Sequence, residues 1–205
     1  MAKYEQNKYW HWKEIPITHR TIKEYFDNLR MDIGIIFEKK ILDIGAGTRR
    51  FAKEVSELDI EAKVYSVDPI YYLSINELNK QLLKSKENIE YIKVFNIPEV
   101  KKRTVAALAE ELPFKDEVFD LVISLFCLPM YINNERQVEK FFAGIARILK
   151  NSGEIRLYPV GLGAIHKKEV LLAIDIQIDE LVKSGFRVIE NKNDLLILRK
   201  NDGRE

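Results

Sequence analysis

Asp43, Gly45, Ala46 and Gly47 stand in the run Ile41-Leu42-Asp43-Ile44-Gly45-Ala46-Gly47-Thr48, an Asp-x-Gly-x-Gly turn at the end of an apolar stretch. Glycines in such a turn let the backbone come close to a ligand, and a helix starting just beyond aims its free N–H groups there. Asp68 follows Gly47 by 21 positions and ends the stretch Val64-Tyr65-Ser66-Val67. A carboxylate at such a strand tip accepts two hydrogen bonds from a ribose diol. Turn and acid at this spacing describe a ribose-bearing cofactor more specifically than either alone. The other chemistry-bearing residues are few. Cys127 and three histidines, His11, His19 and His166, are a poor supply of metal ligands, and no metal is expected. Cys127 has nothing basic beside it and reads as a small buried residue. Lys101-Lys102-Arg103 reads as a solvated face, and Trp10 and Trp12 as core aromatics of the N-terminal segment.

Strands and helices must alternate to hold these residues. Ile41 to Ile44, Lys63 to Val67, Thr104 to Leu108 and Phe119 to Leu125 are apolar runs bounded by turn residues, as strands buried on both faces are. Glu154 to Pro159, Phe186 to Glu190 and Leu195 to Arg199 make seven. Phe51 to Leu58 is the helix after the turn. Val138, Phe141, Phe142, Ile145, Ile148 and Leu149 recur at helical steps up to Gly153, which is expected to end that helix. Val170 to Val182 repeats the pattern before Gly185. Only Asn191-Lys192-Asn193-Asp194 separates the last two strands, too short for a parallel crossover, so they form an antiparallel hairpin. The fold class is α/β: a Rossmann-like, seven-stranded, mostly parallel sheet with an antiparallel terminal hairpin and helices on both faces. Residues 1–38, with a helix from about Thr18 to Arg30, read as an appendage over the sheet's edge or mouth, and residues 39–205 as the main domain. Ile75 to Arg103 reads as a helix followed by an irregular insertion.

Composition narrows the function. The chain has 205 residues, 46% hydrophobic and 32% charged, enough for one compact domain. Lys and Arg total 33 against 32 for Asp and Glu, so the net +1 gives no global field for a polyanion. No apolar run approaches a membrane span, and the start MAKYEQNK lacks the apolar stretch of a signal peptide, so a cytoplasmic protein is expected.

Three further stretches carry a family likeness. Ala109-Glu110-Glu111-Leu112-Pro113-Phe114 followed after four residues by Phe119-Asp120-Leu121-Val122, the helix Phe141 to Gly153, and Gly185 to Glu190 come in order after the glycine turn and Asp68. This succession, from about Ile41 to Arg199, resembles the class I S-adenosylmethionine-dependent methyltransferases. The resemblance implies that Asp43, Gly45, Ala46 and Gly47 line the methionine end of S-adenosylmethionine and that Asp68 holds its ribose hydroxyls. It implies that Pro69 and Ala109 flank the adenine, with the Ala109 backbone N–H facing a ring nitrogen. Ser124 and Leu125 would border the sulfonium and the substrate mouth, and Arg20, in the helix before strand one, would pair with the methionine carboxylate. His166, in the loop after strand five where members often build the acceptor pocket, is the candidate general base. Two positions depart from the family pattern. Arg49 stands where a third glycine is common, and its side chain is expected to turn outward from the following helix. Leu108 stands where many members place an Asp facing the adenine amino group, which leaves base recognition to backbone and packing.

The expected activity is methyl transfer from S-adenosylmethionine to a small-molecule acceptor. A catalytically inactive binding protein on the same fold is the alternative that Arg49 and Leu108 keep open. A nicotinamide-dependent oxidoreductase fits less well, because Arg50 fills the last small position of Gly-x-Gly-x-x-Gly and the terminal hairpin is foreign to it.

Overall fold

A computed structural model describes residues 18–58, 60–73, 97–132, 134–161 and 168–203. Its strands are β1 (Lys40–Ile44), β2 (Lys63–Val67), β3 (Thr104–Val105), β4 (Phe119–Leu125), β5 (Leu149–Tyr158), β6 (Phe186–Lys192) and β7 (Leu195–Lys200). They form one sheet in the order β3-β2-β1-β4-β5-β7-β6. The first five are mutually parallel, and β7 runs antiparallel to both β5 and β6. The expected hairpin is thus present. Its tip residues Asn193 and Asp194 have φ of 52° and 61°, the double left-handed conformation that a two-residue turn needs to match strand twist.

Helices cover both faces: α1 (Ile22–Leu29), α2 (Ile33–Ile36), α3 (Arg50–Glu57), α4 (Pro98–Lys101), α5 (Leu128–Tyr131), α6 (Glu135–Ile148) and α7 (Lys168–Lys183). Successive strand residues point to opposite faces, and each face has its own core. Leu42, Ile44, Val122, Ile155 and Leu198 pack with Phe141, Phe142 and Ile145 of α6 and Ile174 of α7. Ile41, Leu121, Ile123 and Ile197 pack with Tyr25 and Leu29 of α1 and Phe51 and Val55 of α3. Each fully buried Leu, Ile or Phe contributes about 1.5–3 kcal/mol. This double burial is why the strands read as unbroken apolar runs. No helix among the described residues is long and apolar enough to cross a membrane.

Three sequence expectations are corrected. Strand three stops at Val105 instead of reaching Leu108, because β2 ends at Val67 and Pro69 brings no N–H to extend the ladder. Helix α6 ends at Ile148 before Gly153 is reached. Leu149 is already extended and paired with Phe119, and Gly153 lies within the irregular start of β5. The N-terminal helix is shorter than Thr18 to Arg30. Thr21 caps it in a reciprocal capping box with Glu24, and left-handed Arg30 ends it. Gly185 takes φ 96° after α7, as expected. Most of Ile75 to Arg103 lies outside the described residues, which resume at Ile97 just ahead of α4; Trp10 and Trp12 lie outside them too.

Helix α1 is tied to the sheet at its C-terminal end. The Arg156 guanidinium donates to the Leu29 carbonyl at 2.7 Å and to that of Arg30 while pairing with Glu154, and Arg30 pairs with Glu190 on β6. A cation on the last carbonyls of a helix complements its dipole.

Candidate functional site

The chain order of the sheet reverses between β1 and β4, which opens a crevice at the strands' carboxyl ends. The turn after β1 lies there. Gly45 and Gly47 have φ of 77° and 52°, and Arg49, which caps α3, has 66°. The backbone N–H groups of Gly45 and Ala46 both donate to the Val67 carbonyl, at 2.8 and 3.2 Å. Asp68 completes the tie: Oδ2 accepts from the Gly47 N–H at 3.0 Å and Oδ1 from the Ile70 N–H at 2.9 Å. The Tyr71 hydroxyl then donates to the Gly47 carbonyl at 2.8 Å. The turn and Asp68 thus meet at one place. Pro69 opens the short 3-10 turn Pro69–Tyr72 beside them.

Asp43 shares its side of β1 with Ile41, so it points at α1, opposite to Leu42 and Ile44. There the Tyr25 hydroxyl donates to both carboxylate oxygens, each at 3.0 Å, while its ring stacks on Phe51 at 4.3 Å. Burial pushes the Asp43 carboxyl up to about 7; the bond from Tyr25 opposes this, the Asp68 charge adds to it, and Arg20 lowers it. Burial likewise pushes Asp68 up to about 6 against the N–H groups of Ile70 and Gly47. Neither acid forms an ion pair among the described residues. A buried and a half-buried carboxylate without a paired cation fit a ligand that brings positive charge, as the sulfonium and ammonium groups of S-adenosylmethionine would.

Residues 18–20 lie across the turn. The Thr18 carbonyl accepts from the Thr48 N–H at 2.9 Å, and His19 Nδ1 is hydrogen-bonded to Thr48 Oγ1 at 2.8 Å. A Cβ at Gly47 would collide with the hydroxyl and carbonyl oxygens of Thr18; one at Gly45 would lie 2.6 Å from Cys127 Cβ. Arg20 is corrected in its setting, because it precedes the Thr21 cap instead of lying in the helix. Its guanidinium sits 4.4 Å over the Phe126 ring and donates to the Leu125 carbonyl at 3.4 Å, which brings it to the end of β4. Ser124 turns its hydroxyl onto the Ile44 carbonyl at 3.1 Å, across the seam between β1 and β4, and Leu125 is buried. Ala109 is buried beyond β3, and Leu108 beside it is half-buried.

Arg49 overturns the outward-facing expectation, since it is only 3% exposed. Its left-handed backbone directs the chain inward, where the guanidinium donates to Thr104 Oγ1 at 2.8 Å and lies 5.2 Å from the Tyr71 ring centre. Cys127 is buried as expected, with burial pushing its thiol far up. His166 and His11 lie outside the described residues. No group of three or more His, Cys, Asp or Glu among the described residues is placed to hold a metal ion. Thr18, Tyr25 and Tyr71 are the residues that sequence reasoning missed. Only Tyr25 had a signal: it shares a helix face with Ile22 and Leu29, while Asp43 falls on the strand parity that such a helix covers.

The fold is that of a doubly wound α/β protein with a glycine turn at its switch point. The sequence pattern of the methyltransferase domain family matches residues 42–157, more than half of the chain, and the chain belongs to that family. S-adenosylmethionine is the cofactor of this class. Solved structures share the fold. A TehB-like SAM-dependent methyltransferase from Corynebacterium glutamicum superposes with a TM-score of 0.53 at 16% identity, over 89% of each chain. An S-adenosylmethionine-dependent methyltransferase from Mesorhizobium loti gives 0.52 at 14% identity, over 86% of this chain and 97% of that one. The [4+2]-cyclase SpnF gives 0.52 at 15% identity, over 89% and 80%. No curated protein matches the sequence.

Proposed function

We propose that the chain binds S-adenosylmethionine at the Asp43 to Gly47 turn and transfers its methyl group to a small-molecule acceptor. The observation that carries this is the pair of carboxylates, buried Asp43 and half-buried Asp68, meeting the glycine turn with no ion-pair partner among the described residues. When bound, the cofactor supplies an electrophilic methyl on a positively charged sulfur. Asp68 would take the ribose hydroxyls on lone pairs left by its two backbone donors, since a carboxylate has about four acceptor sites. Asp43 and the turn would hold the methionine end, with Arg20 near the end of β4 for its carboxylate. Pro69 and Ala109 would flank the base, and Ser124 and Leu125 would border the sulfonium. The chain's work would be to hold acceptor and methyl in line, because proximity supplies much of the acceleration in such a displacement. His166 is the proposed base for an acceptor protonated at neutral pH. The balanced charge supports a small acceptor over a polyanion.

Calorimetric titration of the purified chain with S-adenosylmethionine, S-adenosylhomocysteine and NADPH tests this reading. Binding of the first two with constants on the order of micromolar is expected. Binding of NADPH alone would overturn it. The fold also serves a cyclase, so methyl transfer needs its own assay: release of S-adenosylhomocysteine when candidate acceptors are added.

A further inference from the structure

Tyr25 is buried to 3% exposure and its hydroxyl reaches Asp43 at 3.0 Å from either oxygen. Burial and the Asp43 charge push its own ionisation well above the ordinary tyrosine value, so it stays a donor at any pH the protein meets. The helix that carries it is held at both ends. Ahead of it, Thr18 and His19 bond the glycine turn; behind it, Arg156 bonds the Leu29 and Arg30 carbonyls. The ring is stacked on Phe51, so the hydroxyl has little freedom to go elsewhere. A hydroxyl equidistant from two carboxylate oxygens suits an ionised acid, which only accepts. A protonated one would hold a proton on one oxygen and donate it.

We propose that Tyr25 is a positioning residue for Asp43, holding the acid in its charged form beside the glycine turn and so tying cofactor affinity to the seating of helix α1. This rests on reading the turn as the S-adenosylmethionine site. The groups that face Asp43 are Tyr25 from α1, Arg20 from the segment ahead of it, Asp68 from the end of β2, Tyr71 from the 3-10 turn and Cys127 from beyond β4. Arg20 is the cation among them and is occupied with Phe126 and Leu125, which leaves Tyr25, among the described residues, as the hydrogen-bond donor that favours the charged form.

The test is the pH dependence of S-adenosylmethionine binding, from pH 5.5 to 9, for the native chain, Tyr25→Phe, Asp43→Asn and the double variant. Native affinity is expected to fall as pH drops through about 7, because a cationic ligand prefers charged Asp43. In Tyr25→Phe the midpoint moves upward. A one-unit move costs about fivefold in affinity at pH 7, approaches tenfold toward pH 5.5 and nearly vanishes at pH 9. In Asp43→Asn the step near 7 disappears, and adding Tyr25→Phe costs no more than about twofold. A loss in Tyr25→Phe that is uniform with pH, or equal in the Asp43→Asn background, would overturn the proposal. So would persistence of the native step in Asp43→Asn, which decides the matter if Tyr25→Phe does not fold. Carboxyl-carbon NMR of the unliganded chain separates this from the cofactor assignment. If the native chain binds no S-adenosylmethionine at any pH, the site reading fails, whereas an Asp43 titration left unmoved by Tyr25→Phe refutes the role of Tyr25 alone.

Discussion

Asp68 and Gly47 are joined by a 3.0 Å hydrogen bond in which Oδ2 of the acid accepts the backbone N–H of the turn. With its other oxygen on the Ile70 N–H, one side chain satisfies two backbone donors and fastens the end of β2 to the turn after β1. The acid therefore shapes the site even before any ribose reaches it.

Asp68→Ala is accordingly expected to weaken S-adenosylmethionine binding more than Asp43→Asn. It removes the ribose acceptor and strands two N–H groups, each at a cost of about 1–3 kcal/mol. Calorimetry on both variants, with urea unfolding of each, checks this. Unchanged affinity in Asp68→Ala would reduce the acid to a turn residue.

The two glycines of the turn should respond differently to alanine. At Gly47 the obstruction includes the Thr18 backbone carbonyl, so Thr18→Gly cannot relieve it; at Gly45 it is the Cys127 side chain, with its Cβ at 2.6 Å and Sγ at 2.9 Å. Cys127→Gly should therefore recover part of the stability lost in Gly45→Ala, while Thr18→Gly leaves Gly47→Ala as damaged as before. Both sites also carry left-handed strain, so neither alanine reaches native stability. Equal rescue, read by thermal melting, would contradict this.

The sheet and the place of the turn were legible because local rules fix them. Doubly buried strands show as apolar runs, and the interval between the last two strands permits only a hairpin. The turn's partners were not legible, since they depend on contacts between distant segments. Thr18 meets Thr48, and Tyr25 meets Asp43, only because α1 lies on the sheet face opposite α6. Arg49 was misread because its neighbours suggest an exposed helix start, whereas its φ of 66° turns the chain inward to Thr104. Gly153 misled for the reverse reason: pairing of Leu149 with Phe119 ends α6 before any glycine is needed.

Arg49→Gly trades strain against packing. Glycine relieves a left-handed non-glycine residue, about 1–2 kcal/mol. It also deletes a buried bond to Thr104 and the cover over Tyr71, and a hydrogen bond from a charged group is worth about 1.5–3 kcal/mol. The loss is expected to win by about 1 kcal/mol in urea unfolding, with cofactor affinity changed less than in Asp68→Ala. Greater stability in Arg49→Gly than in the native chain would show that the cost of burying the guanidinium dominates.

Asp43 gives the unliganded protein a pH dependence whose sign follows from its raised value. Its carboxyl titrates near 7 when folded against 3.8 as the ordinary value, so between those limits the folded chain holds a proton that the unfolded chain has lost. Stability from this group is full below pH about 4 and is lost as pH rises through about 7. A shift of about three units corresponds to at most about 4 kcal/mol. Asp43→Asn cannot ionise and escapes this loss. Its melting temperature should match the native chain near pH 4 and exceed it by several degrees at pH 8, since each kcal/mol moves a domain of this size by about 2–4 °C. Saturating S-adenosylmethionine should narrow the gap, because it binds the native chain more tightly and adds stability by mass action. Thermal melts of both chains from pH 4 to 8, with and without the cofactor, read all of this. If Asp43→Asn melts no higher than the native chain at pH 8, Asp43 is charged at little cost, and Tyr25 and Arg20 already compensate its burial.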